Sequence, residues 1–65
     1  MELVEIGLFK LPGIHFEKNE LTEEQRKEIV EWGESEFGYG INLNETTWSF
    51  RNEKQRDLFI LKFIK

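Results

Sequence analysis

The apolar and polar positions open with Leu3 to Phe9 apolar on both alternations. Val4, Ile6 and Leu8 fall on one side, and Leu3, Gly7 and Phe9, broken by Glu5, on the other. Apolarity on both sides predicts a central strand. Leu11-Pro12-Gly13 then predicts a turn, because proline fixes φ and glycine permits positive φ. Ile14 and Phe16 alternate as a short extended stretch beyond it. Thr22, followed by Glu23, Glu24 and Gln25, has the form of a capping box, in which hydroxyl and amide satisfy the free backbone donors of a first helical turn. From there Ile29, Val30, Trp32, Gly33 and Phe37 gather on one side of a helix and Glu20, Glu24, Glu28 and Glu31 on the other, and Gly38 supplies the stop.

Alternation returns after Gly38. Ile41 and Leu43 alternate with Asn42 and Asn44, and Trp48 and Phe50 with Thr47, Ser49 and Arg51, which predicts a β-hairpin with a polar turn. Asn52 with Gln55 three residues on predicts a second helix start, running to Leu58. The segment Phe59 to Ile64, rich in aromatic and β-branched residues, predicts a last strand. The order is β-α-β-β-α-β, an α+β class of the ferredoxin-like split βαβ kind, with helices on one face of a small antiparallel sheet. The alternative ends in one helix from Glu53 to Lys65 and reads β-α-β-β-α.

Composition explains how 65 residues sustain this as one domain. A chain so short buries a smaller fraction of its surface than most domains. With no cysteine and His15 alone, neither a disulfide nor a Cys/His zinc site can help. Instead there is no alanine at all, and seven Leu, six Ile and six Phe join Trp32 and Trp48, which raises the area buried per position. No run of 18 or more apolar residues and no signal-like N-terminus is visible, so a cytoplasmic location is expected.

The net charge of −4 is unevenly spread. Glu17 to Glu36 holds eight acids and three bases, whereas Trp48 to Lys65 holds two acids and five bases. An acidic balance argues against a nucleic-acid binder, which carries a basic face. Two surfaces stand out as candidates for partner binding. One is the acidic helix face Glu20, Glu24, Glu28, Glu31 and Glu34, which reads either as a mimic of nucleic-acid phosphates or as an ordinary solvated face eased by Lys27. The other is the sheet face away from the helices, where Leu3, Phe9, Ile60 and Ile64 would form an apolar patch for a partner or a second copy, or would be covered by a connection. Lys62 and Lys65 would also guard the last strand against aggregation.

Catalytic chemistry has little to stand on. His15 has only Glu17 nearby to pair with, Asp57 is the sole aspartate, and Ser35 and Ser49 have no adjacent base. Gly38-Tyr39-Gly40 suits helix termination better than phosphate binding. An enzyme is the least expected class, and no cofactor or metal is implied.

Trp48-Ser49-Phe50 followed by Arg51, Asn52 and Glu53 resembles the third strand of an RNA-recognition motif, but the basic glycine-rich opening is missing. Turning both aromatics outward would bury Arg51, so they are assigned to the core. The same residues, with Asp57-Leu58-Phe59 and Leu61-Lys62-Phe63, resemble the ending of small accessory proteins of T4-like tailed bacteriophages, over about a quarter of the chain. That resemblance carries over no functional residue. It implies a compact protein that binds and modulates a host protein. The expectation is therefore a protein-binding module, an inhibitor or modulator of a host enzyme or defence factor in the host cytoplasm. The rivals are the acidic mimic and a single-stranded nucleic-acid binder using Arg51, Lys54, Arg56 and Lys62.

Overall fold

The computed structural model describes residues 1–64 and shows an α+β chain. Strands β1 (Glu2–Ile6), β2 (Leu11–His15) and β3 (Thr47–Ser49) form an antiparallel sheet in the order β1-β2-β3. Helix α1 (Glu23–Phe37) lies between β2 and β3 in sequence, and α2 (Glu53–Phe59) follows β3 and widens into a π-helical turn over Ile60–Ile64. The register pairs Leu3 with Ile14 and Ile14 with Trp48, so these three share a face. Ile14, Phe16, Trp48 and Phe50 meet Ile29 of α1, Phe59 of α2 and Ile41 in one buried core. Both helices thus cover one face of the sheet, as expected for the class, and Trp48 and Phe50 are core residues.

Within that class the split βαβ order holds only in outline, because the elements run β-β-α-β-α. The first difference is at the N-terminus. Leu11-Pro12-Gly13, expected as a turn, is the body of the central strand, and the chain reverses instead at Gly7–Lys10, where Lys10 N–H donates to the Gly7 carbonyl at 3.2 Å. A proline fits a central strand only where a ladder donor can be spared. Pro12 sits where β3 is running out: its carbonyl still accepts from Phe50 N–H at 2.8 Å, and its missing donor falls beyond the paired residues of β3. Gly13 is there because Ile6 lies over it. A Cβ would fall on the Ile6 side chain and within 2.9 Å of the Trp48 carbonyl oxygen.

The second difference is in the expected hairpin. Ile41 to Leu43 forms no strand and makes a single bridge, Asn42 to Trp48. Ile41 is drawn inward onto Gly33 of α1, where a Cβ would come within 2.7 Å of it, and Asn44 turns the chain with its side chain accepting from Thr46 N–H at 2.9 Å. Leu43 is left 55% exposed.

The third difference is at the end, where Phe59 to Ile64 is helical rather than a strand, as the alternative reading has it up to residue 64; Lys65 lies outside the described residues. A strand would put Phe59, Leu61 and Phe63 on one side. The helix sends Phe59 and Phe63 together against Trp32, at ring-centroid distances of 6.1 and 5.2 Å, and leaves Leu61 exposed. Packing of two aromatics onto a third outweighs the β preference of the segment.

The helix caps follow the sequence. Thr22 accepts from Gln25 N–H while Gln25 accepts from Thr22 N–H, and Gly38 closes α1 in the left-handed region at φ 77°, its N–H reaching the Glu34 carbonyl. Asn52 caps α2 by accepting from Gln55 N–H at 2.9 Å. The Gln55 side chain accepts from Arg51 N–H and from the Tyr39 hydroxyl, which ties the start of α2 to the segment after α1.

Candidate functional site

The most exposed apolar side chains lie at the tip of the β1–β2 hairpin, where Leu8 is 97% and Phe9 88% accessible. The turn holding them is fixed by positive φ at both ends, 73° at Gly7 and 50° at Lys10. For lysine this left-handed conformation costs on the order of 1 kcal/mol. Turn tips are ordinarily Gly, Asn, Asp or Ser. Leu8 and Phe9 are instead two large apolar groups that contribute nothing to the core, presented on a strained turn.

Near the same end are several cations. Arg51 stacks over the Tyr39 ring with its guanidinium carbon 4.3 Å from the centroid. Lys10 and Arg56 line an open depression with Leu3, Val4, Glu5, Pro12, Asn52 and Glu53. The Arg56 side chain is only 15% exposed, and among the described residues its nearest acid is Glu53 at 4.0 Å and its buried Nε has no partner. The Trp48 indole N–H is likewise buried and has no partner among the described residues. Each such donor costs about 1–3 kcal/mol relative to a satisfied one.

The acidic row is divided. Glu24, Glu28, Glu31 and Glu34 are exposed along α1, and among the described residues none has a cation within 4.0 Å. Glu20 precedes the helix and is already engaged: it accepts from the Met1 amine at 2.7 Å and from Glu17 N–H at 2.9 Å. Those two donors, the amine first, hold its carboxyl below the usual carboxylate value.

Leu3, Phe9, Ile60 and Ile64 do not form one patch on the open sheet face. The pairing of Leu3 with Ile14 and Trp48 puts it on the helix-bearing face at the sheet's edge. Phe9 is at the hairpin tip, and Ile60 and Ile64 belong to the terminal helical segment, Ile60 packed against the core. The earlier reversal at Gly7–Lys10, which pairs β1 with β2, and the change of the last segment from strand to helix account for these moves. The open face carries Val4, Ile6, Leu11, Gly13, His15, Thr47 and Ser49 instead. Most of these are at least partly covered, and His15 Nδ1 shares a 3.0 Å hydrogen bond with Thr47 Oγ1.

Sequence reasoning missed Leu8 and Phe9 as a pair because it carried the first strand through them. The signal was Gly7 and Lys10 bracketing two residues whose apolarity no partner strand required. Among the described residues no three His, Cys, Asp or Glu side chains gather as a metal site, and no helix is long and apolar enough to cross a membrane. Compared with known proteins, the chain matches no family model, no curated protein and no solved structure.

Proposed function

We propose that this chain is a small protein-binding module whose hairpin tip inserts Leu8 and Phe9 into an apolar pocket of a protein partner. The observation that carries this is the near-complete exposure of two large apolar side chains on a fixed turn. Burying both at an interface would yield about 1.5–3 kcal/mol each. Large aromatic and apolar anchors that fill a partner's pocket are common among the strong contact points of interfaces. Lys10 beside the pair, with Arg51 and Arg56 toward the same end, favours a pocket with an acidic rim. The resemblance to T4-like phage accessory proteins supplies the kind of partner: a host enzyme or defence factor, inhibited or redirected by contact in the host cytoplasm.

Capture from a bacterial lysate, with nuclease and at two salt concentrations, tests this reading. A specific host protein is expected on the unaltered chain and not on Leu8→Ser/Phe9→Ser, which removes the anchors from positions that support no core. Equal capture by both would refute the role of the tip.

A second reading, the acidic mimic, is favoured by the unpaired carboxylates of Glu24, Glu28, Glu31 and Glu34. It expects binding that survives Leu8→Ser/Phe9→Ser, weakens steeply with salt, and is lost with Glu24→Lys/Glu28→Lys.

A further inference from the structure

We infer that a second copy of this chain pairs with the free edge of β1, joining two three-stranded sheets into one of six. Phe50 N–H donates to the Pro12 carbonyl and Phe16 N–H to the Thr46 carbonyl, so the even-numbered residues of β2 direct their backbone groups at β3 and the odd-numbered ones at β1. Leu11, Gly13 and His15 pair with Ile6, Val4 and Glu2. The N–H and C=O of Leu3 and of Glu5 therefore point outward, away from the sheet. The edge has no proline, lysine or bulge, and of the devices by which edge strands avoid pairing it carries only the carboxylates of Glu2 and Glu5.

The register that pairs β1 over its full length satisfies both the hydrogen bonds and the charges. With a two-fold axis at Val4, Leu3 faces Glu5 of the other copy and Glu5 faces its Leu3, so all four outward groups on each strand find partners. A centre at Glu5 would oppose two carboxylates, and a shift by one residue would set outward groups against inward ones. In the Val4 register each Glu5 is carried to the helix-bearing side of the other copy's Leu3. Leu3 lines the same depression as Arg56, whose buried Nε has no acceptor among the described residues. The arriving carboxylate joins Glu53, which is largely exposed and 4.0 Å away, as a second counter-charge for Arg56, and Leu3, 54% exposed in the single chain, is covered. Dimerisation of this kind goes beyond partner capture by Leu8 and Phe9 and does not depend on it, since the two tips lie at opposite ends of the joined strands.

Sedimentation of the purified chain from about 10 μM to about 1 mM tests it. Self-association to a dimer is expected. Leu3→Glu, which opposes two like charges twice over, is expected to weaken the dimer by about tenfold, and adding Glu5→Lys to restore it. Leu3→Lys, facing Glu5, leaves it intact. N-methylation of the Leu3 amide by total synthesis blocks an outward donor without touching the β1–β2 ladder, and is expected to give a folded monomer. A chain that stays monomeric throughout this range, or a dimer indifferent to both Leu3→Glu and the N-methyl group, overturns the inference.

Discussion

Replacement of Phe59 tests the helical reading of the C-terminal segment where it differs most from a strand. Phe59 is fully buried and meets four aromatic rings, Phe16, Trp32, Phe50 and Phe63, at centroid distances of 6.2, 6.1, 5.6 and 5.1 Å. Truncating such a side chain to alanine costs about 3–5 kcal/mol. A domain of this length has about 3–10 kcal/mol in total. Phe59→Ala is therefore expected to be largely unfolded, and Phe59→Leu is the more informative variant. It keeps most of the volume but gives up the ring contacts, for a loss of about 1–2 kcal/mol. With a urea dependence near 1 kcal/mol per molar for so small a chain, the unfolding midpoint should fall by about 1–2 M. Leu61→Ala, at a position 61% exposed, should move it by less than about 0.5 M. The assay is urea unfolding followed by Trp32 and Trp48 fluorescence, with circular dichroism as a second probe. In a strand, Leu61 would share the inward face with Phe59 and Phe63. Equal losses for Phe59→Leu and Leu61→Ala would refute the helix.

Gly13→Ala should lower stability by about 1–3 kcal/mol, because the added methyl meets both the Ile6 side chain and the Trp48 carbonyl oxygen. Thermal unfolding of Gly13→Ala with and without Ile6→Val checks this, and only partial relief is expected, since the carbonyl cannot retreat; full rescue would show that the side chain alone sets the limit. Glu20, held by the Met1 amine and Glu17 N–H, should titrate below 4.5 by NMR. Its folded value is depressed, so its contribution to stability is present above the unfolded value and lost as pH falls through the folded one. The stability difference between the unaltered chain and Glu20→Gln should shrink over that window, and a Glu20 midpoint at or above 4.5 would contradict the contacts.

Local chemistry by itself determined the helix starts and stops. A capping box at Thr22, a left-handed stop at Gly38 and an Asn cap at Asn52 are interactions among residues a few positions apart, so they can be read without knowing the fold. The α+β class and the burial of Trp48 and Phe50 were legible for a related reason: alternation fixes which residues share a side, and burying Arg51 in exchange for the aromatics would be too costly.

What tertiary structure decided are the places where a distant neighbour outweighed a local preference. Pro12 and Gly13 read as a turn, yet Phe50 approaching the Pro12 carbonyl and Ile6 needing room over Gly13 make them the middle of the sheet. The last segment has the composition of a strand, and its helical form follows from Trp32 offering one surface to both Phe59 and Phe63. The candidate surfaces depend on those two choices. Once the chain reverses at Gly7 and not at Pro12, Leu8 and Phe9 become a tip, β1 becomes an edge, and Leu3 moves to the helix side beside Arg56. A side-chain period of two means that a change in which strand β1 pairs with, and where, can reverse every exposure along it.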